Sequence, residues 1–559
     1  MRRFLFLLSA VVIVSVLLPF DACSQELPEG YFRNPLDMDI GLSATFAEFR
    51  MGHFHAGLDL RTGGATGQPV HAAADGYVAR VSISPWGGGK ILYIKHPNGY
   101  VTVYMHLDGY AGAIGKAVLK EQYAQQRYAI SKLFGENEIP VKKGQVVAYS
   151  GNSGSSGGPH LHFEIRRGGL EDMHTHAVTI NPLLAGLPYV DNIKPVIRGI
   201  RLYPSVGDPF DVVSEEVTVD GPFHLGVYAT DAAEGSTAKN GVDRLEIYVD
   251  GSLFFKYTTT AFPLDSSRMS NALIDYPLFS QTRQAYLLTK ALPGARGKWI
   301  PVCAGGGVLR FSPESVHSVS VRAFDIKNNL TEKTFRVRCM GEVESGKWTD
   351  ESGKNTYAVS YNKPLKITGE EMKLVFPAYM LYDDDRVKCY PVADVRYLSP
   401  LCTVRPCGNQ LPPHVAYTLS IKANRQTDRL VVVRVDGSRL TAYKTGRDGD
   451  WYTASVREWG QFALAVDDMR PRISPVNFKE GKRLKSNIIK LRISDNLSGV
   501  ETYNCYLNGE WILAEFDGKS ATLTIDAKGK MKSGANKLRV EVVDAAGNVA
   551  DVTYVIQKT

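Results

Sequence analysis

Apolar residues in this chain come mostly in short runs that alternate with polar ones, and glycine or asparagine separates the runs. A period of two builds strands with one buried face, so the expected fold is mainly β. From Asn34 to Leu184 the pattern gives strands at Gly76–Ile83, Lys90–Lys95, Tyr100–Met105, Gln145–Tyr149 and His160–Arg166, which reads as a compact antiparallel β domain. Residues 113–134 depart from it. Leu119, Tyr123, Ile130 and Phe134 fall near helical spacing and Gly135 follows, which predicts a helical insertion between strands.

Past Asp191 the pattern stays all-β and repeats itself. Gly241–Phe255 (GVDRLEIYVDGSLFF) resembles Gly499–Leu513 (GVETYNCYLNGEWIL). Each is followed by a second matching pair, His317–Val337 and Asn536–Ile556, which share a strand, a D-x-x-x-N turn and a further strand. Strand, DG or NG hairpin, strand, turn, strand is the plan of an immunoglobulin-like β-sandwich. The first copy carries about 40 extra residues between its halves, against a typical module of ~100 residues. The stretch between the copies is strand-rich as well and reads as a third sandwich. The expected organisation is therefore 1–24, 25–190, 191–342, 343–468 and 469–559, the last three being sandwiches that act as spacers or binding modules.

Residues 1–24 read as an address. Arg2 and Arg3 precede an uncharged apolar run from Phe4 to Phe20, and Ala22-Cys23-Ser24 fits a small-x-small cleavage site. Export to a periplasm or the cell exterior is expected, with cleavage after Ser24 and no transmembrane segment afterwards. Phe20-Asp21-Ala22 fits a lipidation signal poorly, so acylation of Cys23 is the weaker alternative. Six cysteines remain. In an oxidising compartment Cys402 could pair with Cys407 and Cys303 with Cys339, or each could be a small buried hydrophobe. The 65 basic and 58 acidic side chains leave a net charge of +7 with no basic cluster, which argues against nucleic acid as a partner.

Of 12 histidines, nine lie between His53 and His176. His55 and Asp59 form an H-x-x-x-D, His106 ends the strand Tyr100–Met105, and His160 and His162 form an H-x-H. A glycine-rich turn, Gly151–Gly158, immediately precedes the H-x-H, and its amides are expected to face the site. In a strand His160, His162, Glu164 and Arg166 share one face, while Leu161, Phe163 and Ile165 supply the core face. By the same alternation Thr102, Tyr104 and His106 form the polar face of their strand. One carboxylate and several histidines meet the needs of a catalytic zinc, which takes three protein ligands and keeps a fourth position for water. Histidines beyond the ligands can move protons. His53, His71 and His96 have no partner in this pattern, and His174 and His176 form a second H-x-H in a polar loop. Asp383-Asp384-Asp385 reads as a solvated turn and not as a calcium loop.

These blocks, HAGLDL, GQPVHAAADGYV, YVTVYMHL, GQVVAYSGNSG and GPHLHFEI, resemble the lysostaphin/LytM-type zinc metalloendopeptidases over residues 34–184. The resemblance implies one zinc ion per chain held by His55, Asp59 and His162, with His106 and His160 acting around the metal-bound water. It implies peptide crosslinks of bacterial peptidoglycan as substrate. The C-terminal β-domains could then engage an envelope protein partner. Two other readings stay open: a non-catalytic scaffold or activator of other wall hydrolases, and a periplasmic protease acting on proteins. Some relatives place a tyrosine shortly before H-x-x-x-D. Gly41–Phe54 contains none, so that role is unassigned.

Overall fold

The structure is a computed structural model. It describes Leu27 and residues 29–558, except 169–176, 233–238, 296–300, 342–352, Lys354, Asn409 and Lys485. Cys23 and the His174/His176 pair lie outside the described residues. The chain is mainly β, with a small helical region near the histidine-rich domain and several C-terminal sheets.

One antiparallel sheet organises the described residues between Leu42 and Ile180. Its strands run in the order Leu42–Ala44, Leu58–Arg61, His160–Arg167, Tyr100–Met105, Lys90–Lys95, Gly76–Ile83, Ile130–Leu133. The apolar alternation explains it: Leu58, Leu60, Leu161, Phe163 and Ile165 are all buried on one side. Full burial of such a side chain stabilises the fold by roughly 1.5–3 kcal/mol. The other side of His160–Arg167 is buried too. Glu164 is 1% exposed and Arg166 is 4% exposed, so the expected polar face is an interior one.

The insertion is half helix and half strand. The helix spans Gly112–Gln125 and ends where Gln126 adopts a left-handed conformation. Ile130–Leu133 then pairs with Gly76–Ile83, Ile130 standing opposite Ile83. The helix buries Ile114, Val118 and Gln122, while Leu119 is exposed. The spacing of Leu119, Tyr123, Ile130 and Phe134 imitated a helical stripe across two different elements.

The repeat in the sequence is a repeat in the structure. Strands Ser252–Thr258, Arg244–Val249, Val316–Phe324 and Leu330–Gly341 lie side by side in one sheet. Glu510–Trp511, Val500–Leu507, Gly534–Asp544 and Val549–Lys558 lie in the same order in another. Both hairpin turns take positive φ at their two central residues, Asp250 and Gly251 in one and Asn508 and Gly509 in the other, as two-residue turns matched to strand twist require. Residues 356–466 build two sheets around a separate apolar core.

All six cysteines are free thiols. Cys402 and Cys407 lie along and just beyond one extended strand, Leu401–Pro406. Five residues of strand separate them by about 16 Å, beyond disulfide reach. The strands holding Cys303 and Cys339 are separated by three others in their sheet.

Two later parts of the chain return to the histidine-rich domain. From the extra residues of the first repeat, Ala261–Pro263 pairs with Val178–Ile180 and extends the main sheet. Phe262 packs against Phe46 and Phe54 with ring centroids 5.1 and 5.2 Å away. The last segment docks at the other side. Glu515 meets Lys90 at 2.8 Å, Phe516 meets Trp86 edge to face, and Trp511 and Lys530 pack on Tyr123 of the helix. Lys519 Nζ donates to the Asn152 and Ser156 carbonyls of the glycine-rich turn. Phe262 is 3% exposed, so Phe262→Ala should lower stability by about 3–5 kcal/mol in urea unfolding of the full chain. A cost below about 1 kcal/mol would mean that this contact is not part of the cooperative core.

Candidate metal centre

The five residues singled out by the sequence converge on one point. Strand His160–Arg167 pairs with Leu58–Arg61 so that His162 stands directly opposite Asp59. Cross-strand partners share a face at close range. His55 reaches the same point from the loop before Leu58, where Gly57 lets that loop lie on the histidine strand. A Cβ at Gly57 would fall 2.3 Å from the Phe163 carbonyl and 3.0 Å from His162 Nε2. His106 arrives by another route. Val101, Val103 and Met105 stand opposite Arg166, Glu164 and His162, so the alternation alone puts Tyr104 and His106 on the other face of the sheet. His106 adopts φ 61° just past the strand, and its ring lies 4.9 Å from that of His160 and 6.0 Å from that of His162. Left-handed backbone in a non-glycine residue carries strain, of the kind found where a side chain must be aimed.

Each imidazole is held by one nitrogen. His55 Nδ1 lies 2.7 Å from the Thr45 carbonyl, His106 Nδ1 lies 2.9 Å from that of Ser153, and His160 Nδ1 lies 2.8 Å from that of Gly158. His162 Nε2 lies 2.9 Å from Glu164 Oε1. Oxygen acceptors on one side fix an N–H there and leave the other nitrogen basic. The glycine-rich turn thus contributes carbonyls that orient His106 and His160, where its amides were expected to face the site.

His55 Nε2, His162 Nδ1 and Asp59 Oδ1 form a triangle with sides of 2.9–3.0 Å. Ligand atoms around a tetrahedral zinc lie about 3.4 Å apart, so a small outward movement admits the ion. Two neutral nitrogen donors and one carboxylate suit zinc by chemistry as well. The residues fit the metal. His160 Nε2 is 3.4 Å from Asp59 Oδ1, beside the triangle, and Arg50 Nη2 is 3.8 Å from Asp59 Oδ2.

The electrostatics follow from burial and neighbours. Burial opposes charge on Asp59, but His55 and hydrogen bonds from His160, His162 and His55 hold its carboxyl far below the usual range. Burial also opposes charge on His162, yet Asp59 and Glu164 raise it to about 9. Burial, then the charges of His162 and His160, push His106 down to about 4, so its ring is neutral at pH 7. Burial opposes ionisation of Glu164, and Arg166 and His162 overcome this to hold it at about 2. Arg166 lies against Glu164 and 5.8 Å from the Tyr93 ring. Glu164 and Arg166 were read only as members of a polar strand face. Their i+2 and i+4 positions after His162 were the available signal for a buried carboxylate behind a metal-binding histidine.

The other histidines lie elsewhere. His96 is buried between the Asp75 carbonyl and Thr102 Oγ1, His71 is held by the Gly144 carbonyl and Asp37, and His53 is exposed. In the Asp383–Asp385 stretch, Asp384 accepts from Ser360 and Tyr361, and Asp385 accepts from the Gly408 amide.

Residues 53–175 match the model of peptidase family M23. The chain therefore carries an M23-type metallopeptidase domain with a candidate His-His-Asp metal site. Residues 356–467 match a Zu5-like domain. An uncharacterized metalloprotease of Haemophilus influenzae is 33% identical over 170 residues, 29% of either chain. The DD-carboxypeptidase/endopeptidase Mpg of Neisseria meningitidis is 30% identical over 24% of this chain and 23% of its own. The peptidoglycan DD-endopeptidase ShyA of Vibrio cholerae is 28% identical over 26% of this chain and 29% of its own. The matched stretch thus spans less than a third of these relatives. Among solved structures, the catalytic domain of the prophage-encoded M23 protein EnpA from Enterococcus faecalis is 26% identical over 27% of this chain and 96% of its own, with a TM-score of 0.20.

The raised His162 sets a measurable pH dependence. Below about 9 the metal-free ring is protonated on both nitrogens, and an ion taking Nδ1 must displace one proton. Apparent zinc affinity should therefore fall about tenfold per pH unit from ~8 to ~6.5, read by competition with a chelator. Glu164→Gln should weaken zinc about 10–100-fold, while His162→Ala should abolish it, both by metal analysis of the folded chain.

Proposed function

We propose that the chain is an exported endopeptidase that hydrolyses peptide crosslinks of bacterial peptidoglycan with one zinc ion bound by His55, Asp59 and His162. The observation that carries this reading is the preformed triangle of two nitrogens and one oxygen, with each of the four imidazoles held by its outer nitrogen. A zinc ion there would polarise the scissile carbonyl and make water nucleophilic near neutral pH. His106, neutral and anchored through Nδ1, offers Nε2 as proton acceptor. His160, anchored through Nδ1 beside the triangle, offers a basic Nε2 that can take up a proton and pass it to the leaving amine. Relatives described as peptidoglycan DD-endopeptidase and DD-carboxypeptidase/endopeptidase support the substrate class.

Export rests on Arg2, Arg3 and the apolar run to Phe20, with cleavage after Ser24 and a periplasmic or secreted product. Among the described residues no helix is long and apolar enough to cross a membrane. The segments 191–342, 343–468 and 469–559 are proposed as sandwich modules that hold the peptidase at the wall or against an envelope partner. Their repeated strand orders and their contacts with the peptidase domain support this.

The test is digestion of purified peptidoglycan by the zinc-loaded mature chain, with products identified by mass. Crosslinked fragments should be converted to uncrosslinked ones. His160→Ala should keep its zinc and lose about 10²–10⁴-fold in rate. Intact crosslinks after exposure to the zinc-loaded chain would favour the scaffold or activator reading. Cleavage of casein in their place would favour a protease acting on proteins.

A further inference from the structure

Two more acidic clusters lie outside the histidine site, and they are one arrangement occurring twice. Asp191, Asp231 and Asp325 each bring a side-chain oxygen within 4.8 Å of the others, and so do Asp467, Asp495 and Asp544. The positions correspond one to one. Asp191 and Asp467 each precede a proline by four residues, Pro195 and Pro471, at the entry to a repeat. Asp231 and Asp495 each directly follow a strand, Phe223–Thr230 and Ile488–Ser494. Asp325 and Asp544 open the two D-x-x-x-N turns. The asparagines of those turns behave alike. Asn329 Nδ2 donates to Asp325 Oδ2 at 2.7 Å and to the Asp191 carbonyl at 3.2 Å. Asn548 Nδ2 donates to Asp544 Oδ2 at 2.7 Å and to the Asp467 carbonyl at 2.8 Å.

Five of the six carboxylates are interior, and Asp495 is half-buried. Asp231 is 6% exposed, and Asp191, Asp325, Asp467 and Asp544 are less exposed still. Turn amides satisfy part of each carboxylate, yet polar atoms are left over at the centre of both clusters. Oδ1 of Asp231 has no hydrogen-bond partner, nor has Oδ1 of Asp467, of Asp495 or of Asn548, which is fully buried. Asn240 is tied to Asp231 by two backbone hydrogen bonds and is 2% exposed, and neither atom of its amide is engaged. Burial, then the negative charges of Asp191 and Asp325, push the Asp231 carboxyl up to about 7. Buried carboxylates that face one another with unengaged oxygens are costly unless a cation joins them. Oxygens that share a calcium ion at 2.3–2.6 Å lie up to roughly 5 Å apart, and those here lie within 4.8 Å of one another.

We propose that each repeat binds one hard divalent cation, calcium by its all-oxygen donor set, between the entry aspartate, the strand-end aspartate and the D-x-x-x-N turn. Among the described residues neither cluster includes a thiolate or imidazole ligand, so zinc and copper are disfavoured. Magnesium demands a more regular octahedron than three carboxylates from separate segments supply. The first ion fastens residue 191 to two strands of its repeat, beside a small cavity lined by Thr45 and Asn181 of the peptidase domain and by Asp231 and Asp243. The second fastens the end of strand Gly460–Val466 to the last segment, whose Lys519 touches the glycine-rich turn. Calcium would set the angles at which the repeats leave their neighbours.

The experiment uses the mature chain, stripped of metals on a chelating resin, reloaded with one equivalent of zinc and titrated with calcium chloride in two calorimeters. Isothermal titration should show about two calcium ions per chain beyond the zinc, and scanning calorimetry a rise in melting temperature. Asp231→Asn and Asp495→Asn keep the side-chain shape and an acceptor oxygen for the turn amides. Each should remove about one ion, and the double variant should bind none and show no calcium-induced rise. In calcium-free buffer these variants should melt no lower than the unsubstituted chain, since a repelling charge has gone, and their zinc content should be unchanged. Absence of calcium uptake by the unsubstituted chain at millimolar calcium overturns the proposal whatever the variants do. So does a folded double variant that retains both ions.

Discussion

The register between strands His160–Arg167 and Leu58–Arg61 is the constraint on which the metal centre depends. It sets His162 opposite Asp59, and a slip of one residue would offer Leu161 or Phe163 in its place. The apolar side chains forbid that slip, because Leu161 and Phe163 would turn away from the buried face that they share with Leu58 and Leu60. The geometry of the candidate metal site is thus set by residues outside it. The same strand carries Glu164 and Arg166 into the interior, where the carboxylate fixes His162 and the guanidinium balances the carboxylate. Breaking such a buried pair costs about 3–5 kcal/mol, so His162 is oriented by something the fold cannot easily give up.

What the sequence revealed of this site follows a simple division. Side chains that carry chemistry announce themselves by type and spacing, and His55, Asp59, His106, His160 and His162 are found together. The groups that aim them are largely backbone carbonyls, of Thr45, Ser153 and Gly158, which have no letter of their own. His106 shows the limit of strand alternation. Parity assigns it to the wrong face, and one left-handed residue at the strand end reverses the assignment. The insertion shows the same limit for helices, since residues from a helix and from the following strand together produced a false stripe.

The repeats were legible through their turns, where DG and NG name a backbone conformation directly. Their aspartates were legible only as turn formers. Aspartate is favoured in turns for hydrogen bonding to its own backbone, and in cation sites for its charge, and spacing within one segment does not separate the two. Only the folded chain brings an entry residue, a strand end and a turn together. The acidic run at Asp383–Asp385, denser in sequence, is engaged by Ser360, Tyr361 and Gly408 of neighbouring segments.

The partners that surround the peptidase domain come from far along the chain. Lys90 and Glu515 are 425 residues apart, and Lys519 and Ser156 are 363 apart. A chain emerging N-terminus first can pair the strands between Leu42 and Arg167 among themselves. The outer neighbour of Val178–Ile180 arrives only with Ala261–Pro263, and the outer partners of the glycine-rich turn arrive last of all. Closing such long loops is slow, although the entropic cost grows only with the logarithm of loop length. Synthesis order thereby becomes assembly order, and the rim beside the histidines is finished only when the final strands are in place.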